Sequence, residues 1–131
     1  MRILLDTNIL LWVLGDRRRL DPSTLGAIES NENDVLFSAA SVWEIAIKTA
    51  LRRYDLGVRP NEITDTALGA GFIELPVRST VAARVADLPL IHRDPFDRLL
   101  VAQAISEPAI LYTADGQLLA YSDLVRQVGA R

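Results

Sequence analysis

The run Arg2-Ile3-Leu4-Leu5-Asp6-Thr7-Asn8-Ile9-Leu10-Leu11-Trp12-Val13-Leu14-Gly15 decides the fold class. Arg2 to Asp6 is an unbroken apolar stretch closed by an acid, the pattern of a short buried strand. Thr7-Asn8 supplies side-chain acceptors for the free amides of a helix start, and Gly15 stops the helix expected over Ile9 to Leu14. The order then repeats along the chain. After the charged loop Asp16 to Arg19, Pro22-Ser23 opens a second helix through Ser30, and Asn31 to Asp34 turns the chain into a second strand, Val35-Leu36-Phe37. Ser41 is expected to cap a third helix, Val42 to Arg53, and Pro60-Asn61 to start a fourth that ends near Gly69 to Gly71. A third strand is read at Phe72 to Leu75 and a helix at Ser79 to Leu88. Leu90 to Arg93 reads as loop, and Asp94-Pro95 starts a helix over Phe96 to Glu107. Ala109 to Thr113 is a fourth strand, Gln117 to Tyr121 a short helix, and Leu124 to Val128 a fifth strand. Solidly apolar strands alternating with helices predict an α/β protein with a mostly parallel central sheet of four to five strands, covered on both faces.

Composition bounds the function. The 131 residues, half of them hydrophobic and 24% charged, suit one water-soluble domain spanning residues 1–131. There is no cysteine, which excludes disulfides, thiolate metal sites and cysteine nucleophiles. His92 is the only histidine, so a two-histidine ribonuclease mechanism is excluded too. The longest apolar run, Ile9 to Leu14, is far short of the ~18 residues of a membrane helix. The N-terminus meets Asp6 too early for a signal peptide, and a cytoplasmic, membrane-free protein is expected. Net charge is −3, yet the basic residues are all arginine except Lys48. Arginine suits phosphate recognition and is equally a product of GC-rich coding, so charge alone does not choose a partner.

Four acids carry the chemistry. In a parallel sheet, ligands bind at the carboxyl ends of the strands. Asp6 ends the first strand, Glu44 lies early in the helix after the second, and Asp115 follows the fourth. Asp97 begins the helix before that strand, and the irregular stretch Leu88 to Pro95 lets that helix start at the same edge. Each acid has a purely structural explanation. Ser41 to Glu44 and Asp94 to Asp97 both have capping spacing, Asp6 could cap a helix, and Asp115-Gly116 is turn chemistry. Capping alone would scatter such residues over both edges, whereas the topology sends these four to one. Asp97 also shares its helical face with Leu100, Val101 and Ala104, an apolar stripe directed at the core. Clustered, desolvated carboxylates repel one another unless a cation lies among them. An all-oxygen donor set selects Mg²⁺ or Mn²⁺ over Zn²⁺. Such an ion polarises a phosphoryl oxygen and activates water, so phosphodiester hydrolysis without a covalent intermediate is expected, with water as nucleophile.

Leu4 to Asn8, Ser41 to Ile45, His92 to Arg98 and Tyr112 to Asp115 resemble, in order and over nearly the whole chain, the four signature stretches of PIN domains. Within that family they are most similar to VapC-type toxins of bacterial type II toxin–antitoxin modules. The resemblance implies a three-layer α/β/α fold and a Mg²⁺- or Mn²⁺-dependent endoribonuclease acting on RNA. It also implies a homodimer, and neutralisation by a VapB-type antitoxin whose C-terminal segment lies over the toxin. Carried over residue by residue, Asp6, Glu44, Asp97 and Asp115 match the acidic quartet. Asp6 and Asp97 are the expected direct metal ligands; Glu44 and Asp115 bind directly, bind through water, or orient the attacking water.

Weaker expectations attach to neighbours. Asn8 either holds a carboxylate or caps a helix, and Thr113 either bonds within the acid cluster or fills a strand end. Lys48 is placed for an ion pair with Glu44 or for contact with substrate phosphate, and Arg98 for an acid or a phosphate. Asp94 is assigned to capping, and His92 is read as a loop residue and not a ligand. Trp12 and Trp43 are assigned to core or interface packing ahead of base stacking. The apolar surplus of the first helix is expected to meet a partner. Two other classes compete. A phosphomonoester hydrolase of haloacid-dehalogenase type needs an acid where Asn8 stands and a later lysine than Lys48. A receiver-like signalling domain wants two adjacent acids after its first strand and a lysine after its last, neither of which is present. A PIN-type domain that binds RNA without cutting it should have lost at least one of the four acids.

Overall fold

A computed structural model describes residues 1–53, 57 and 59–129. The elements run β1 (Arg2–Leu5), α1 (Thr7–Gly15), α2 (Pro22–Glu29), β2 (Asp34–Ser38), α3 (Ala39–Ala50), α4 (Pro60–Gly69), β3 (Ile73–Leu75), α5 (Ser79–Arg84), α6 (Pro95–Ser106), β4 (Ile110–Thr113) and β5 (Val125–Gln127). Short 3₁₀ turns occupy Arg17–Arg19, Val85–Asp87 and Gly116–Tyr121. Five strands form one sheet in the order β3-β2-β1-β4-β5, and every pairing is parallel. The sheet is therefore fully parallel, with helices on both faces.

Alternation along β1 explains the layers. Ile3 and Leu5 point to a core shared with Ile9, Leu10 and Val13 of α1 and Ile45 of α3. Leu4 points the other way, to Leu36, Leu111 and the buried stripe Leu100, Val101 and Ala104 of α6. A central strand buried on both faces must be apolar at every buried position, which is why Ile3, Leu4 and Leu5 show no polar alternation and only the exposed first residue, Arg2, is charged. Numbering runs outward from β1 in both directions, so the chain reverses its direction of travel between β1 and β4. The carboxyl ends of those two strands form the switch point where open parallel sheets bind ligands.

Several local expectations are corrected. The N-cap of α1 is Asp6, whose Oδ1 accepts the Ile9 amide at 2.8 Å, so Thr7 and Asn8 lie inside the helix. Helix α3 begins three residues before the expected start, because the buried Ser38 hydroxyl accepts the Ala40 amide. Ser41 to Glu44 is thus not a capping box, and the helix ends at Ala50 instead of Arg53. The helix expected through Leu88 stops at Arg84 and tightens into a 3₁₀ turn. On α1, Leu11, Trp12 and Leu14 are partly buried against the core, and the Arg19 guanidinium stacks 4.8 Å from the Trp12 ring centroid. Much of the expected surplus face is therefore occupied within the chain. Trp43 is 61% exposed and meets Phe96 edge-on at 5.2 Å, so it is not core.

Candidate active site

The carboxyl ends of β1 and β4 open onto a cavity of about 100 Å³ lined by Asp6, Thr7, Asn8, Glu44, Lys48, Asp94, Asp97 and Asp115. The four acids singled out from sequence thus meet in one place. Their anchorage differs, and each mode follows from local structure.

Asp6 is 5% exposed. Its carboxylate caps α1 through the Ile9 amide and is hydrogen-bonded by the Thr113 side chain. Burial outweighs both hydrogen bonds, and with Glu44 and Asp115 nearby its pKa rises from 3.8 to about 6. The Thr113 hydroxyl also accepts the Asp115 amide at 3.0 Å, so it ties the ends of β1 and β4 together as one sequence reading expected.

Glu44 is 4% exposed and lies in the second turn of α3. Thr7 Oγ1 donates to its Oε1 at 2.5 Å, and Lys48 Nζ lies 2.5 Å from its Oε2. Sequence reasoning missed Thr7. Its signal is indirect: Asp6 takes the cap, which turns the next hydroxyl inward, toward Ser41 and Glu44. Lys48 pairs with Glu44 as one reading expected, and it also lines the cavity. Asn8 is exposed at the cavity wall.

Asp94 caps α6 as expected, its Oδ1 accepting the Phe96 and Asp97 amides at 2.8 and 3.2 Å. Asp97 is half-buried at the cavity wall, less deeply than its apolar stripe predicts. Its pKa is pushed up from 3.8 to about 7, first by burial and then by the charges of Asp94, Asp6 and Glu44, with His92 opposing. Asp115 accepts the Gln117 amide on Oδ1 at 2.9 Å and lies 2.8 Å from His92 Nε2 through Oδ2.

One expectation fails here. Arg98 meets neither acid nor open solvent. It is buried, and its guanidinium donates to the carbonyls of Pro89, Val85 and Leu88 at 2.8, 3.0 and 3.3 Å and to Tyr121 Oη at 3.0 Å. Its fork clamps the irregular segment ahead of α6. His92 lies in irregular chain as expected, and its ring turns to Asp97 and Asp115, contacts that the sequence does not signal.

The donor set fits a hard divalent cation: several carboxylates in one small polar cavity, two of them with raised pKa values that a cation would lower. One oxygen each of Asp97 and Asp115 and a ring nitrogen of His92 lie within 4.8 Å of one another.

The PIN-domain family model matches residues 3–124. The chain belongs to the PIN-domain family. The fold extends over nearly the whole length of several solved chains. A chain of VapBC2 from Rickettsia felis bound to a promoter DNA fragment superposes with a TM-score of 0.74 at 16% identity, covering 98% of this chain and 99% of that one. A toxin–antitoxin complex from Klebsiella pneumoniae gives 0.65 at 20% identity, covering 95% and 96%. FitAcB from Neisseria gonorrhoeae gives 0.62 at 26% identity, covering 94% and 95%. No curated protein sequence matches the chain. The family match agrees with the PIN-domain resemblance carried by the four sequence stretches. No helix among the described residues is long and apolar enough to cross a membrane.

Proposed function

We propose that this PIN domain is a Mg²⁺- or Mn²⁺-dependent endoribonuclease and the toxin of a VapBC-type toxin–antitoxin pair. The observation that carries the proposal is the convergence of Asp6, Glu44, Asp97 and Asp115, from four separate stretches of chain, on a single cavity. A divalent ion held there supplies polarisation of a phosphoryl oxygen and a lowered pKa for water. Asp6 and Asp97 are the proposed direct ligands of such an ion. Glu44, steered by Thr7 and Lys48, and Asp115, steered by Gln117 and His92, are left to orient water and accept its proton. Lys48 adds a positive charge at the cavity for a substrate phosphate.

Solved complexes of similar chains support an antitoxin as partner, and the proposal extends to a homodimer in the cytoplasm. The test uses the purified chain with single-stranded RNA. Cleavage is expected with Mg²⁺ or Mn²⁺ and none after chelation; cleavage undiminished by chelator overturns the metal mechanism. Expression in bacteria is expected to arrest growth, and Glu44→Gln to relieve the arrest. Equal arrest by both forms would separate toxicity from this site.

A further inference from the structure

His92 lies in the irregular segment ahead of α6, and three hydrogen bonds fix it. Its backbone amide donates to Tyr121 Oη at 2.9 Å. Its Nδ1 receives the backbone amide of Asp94 at 3.0 Å. Its Nε2 lies 2.8 Å from Asp115 Oδ2 and 3.9 Å from Asp97 Oδ2. A backbone N–H can only donate, so Nδ1 must present its lone pair, and the proton of a neutral imidazole then sits on Nε2. Nε2 therefore donates to Asp115 and has no lone pair to offer a metal ion. The spacing of His92, Asp97 and Asp115 would also suit a three-ligand set; the tautomer separates the two roles.

We propose that His92 is a positioning residue of the acidic site, an Nε2–H donor that sets the angle of Asp115 and is not itself a ligand. With Oδ1 taken by the Gln117 amide and Oδ2 by His92, Asp115 is held at both oxygens. It faces the cavity in one orientation and cannot swing away from its fellow carboxylates. The ring is itself supported from the core. Tyr121 Oη, which receives the His92 amide, also receives Arg98 Nη1 at 3.0 Å, and Arg98 grips the carbonyls of Val85, Leu88 and Pro89. A buried cation on α6 thereby sets the angle of a carboxylate beyond β4. Hydrogen-bond partners that orient a metal site in this way commonly contribute about 10–100-fold to affinity or activity.

The proposal rests on the nuclease reading of the cavity, and its test separates the two. Glutamine places an amide nitrogen near the position of Nε2, whereas asparagine places an oxygen near that of Nδ1. His92→Gln is expected to keep most of the Mn²⁺ affinity measured by calorimetry on the full chain. His92→Asn and His92→Ala are expected to lose about 10–100-fold. The reverse ranking, Asn retained and Gln lost, would make the ring a mere cap for the Asp94 amide and overturn the proposal. As His92 is the only histidine, ¹⁵N NMR reads one ring without ambiguity. A protonated Nε2 and a bare Nδ1, unchanged on adding Mg²⁺, are expected. A proton on Nδ1, or loss of the Nε2 proton when Mg²⁺ binds, overturns the proposal. If the wild-type chain shows this tautomer and the Gln-over-Asn ranking but cuts no RNA, the nuclease reading fails and the positioning role stands.

Discussion

Asp97 and Arg98 are adjacent on α6, yet they belong to polar regions built on opposite terms. Arg98 is 8% exposed, and its guanidinium is matched by three backbone carbonyls and a tyrosine hydroxyl. Asp97 looks into a cavity shared with Asp94, Asp6 and Glu44, and burial together with those charges pushes its pKa up to about 7. A buried charge that is satisfied by its surroundings strengthens the fold. Carboxylates crowded together weaken it unless a further charge arrives. The contrast separates a structural polar centre from one that folding alone does not account for, and it is the second kind that marks a site of chemistry.

Substitutions on the two sides should pull stability and activity apart. The largest effect is expected from Asp97→Asn. RNA cleavage with Mn²⁺ should fall by about 100-fold or more, as when a preorganised electrostatic group is lost from an active site. The melting temperature of the metal-free chain should hold or rise. A variant that keeps its cleavage rate would remove Asp97 from the machinery. Arg98→Met is the converse. It strands the carbonyls of Val85, Leu88 and Pro89, and urea unfolding should show a loss of about 3 kcal/mol or more. Unchanged stability would mean that the clamp holds nothing.

Acidity sharpens the same comparison. Asp6 and Asp97 titrate near 6 and 7 in the folded chain against an ordinary 3.8, so between about pH 4 and 7 the folded state binds more protons than the unfolded. Stability of the metal-free chain is therefore expected to fall as pH rises from 5 to 8, and Asp97→Asn to flatten that slope. Metal binding should reverse it, because the ion stabilises the deprotonated site and the gain from Mg²⁺ is larger at pH 8 than at pH 5. Thermal melts at several pH values with and without Mg²⁺ measure both; a metal-free chain that gains stability with rising pH would contradict the crowding of these acids. The smallest effect belongs to Lys48→Ala. Lys48 is partly exposed but Glu44 is buried, so a loss of about 1–3 kcal/mol is the expectation in urea titration. Weaker RNA binding as ionic strength rises would be the more sensitive readout of its charge.

The fold was largely legible because its strands are short apolar runs punctuated by caps and turns, and each signal is local. Both expected N-caps that failed, Thr7-Asn8 and Ser41, did so for one reason: a polar residue just upstream took the role. Asp6 and Ser38 end strands and cap the helices that follow, and Ser38 is buried with its hydroxyl bonded to Gln103 of α6 at 2.6 Å. Capping spacing at Ser41 to Glu44 looks the same whichever serine is used. The acids were found because strand ends in a parallel sheet point to one edge. Arg98 was misread, and the contact of His92 with Asp115 was missed, because the partners lie far along the chain, as Asp115 does for His92, or are backbone carbonyls, which carry no side-chain signature.

From sequence alone came the α/β order, the parallel sheet and the identity of the acids, since apolar periodicity and chain reversals are properties of neighbouring residues. Tertiary structure decided the rest: which hydroxyls reach Glu44 and Asp6, why Arg98 faces inward while Asp97 faces the cavity, and that one histidine orients Asp115. Those outcomes depend on distances and directions between segments remote in sequence. Only the packed sheet and its helices set them.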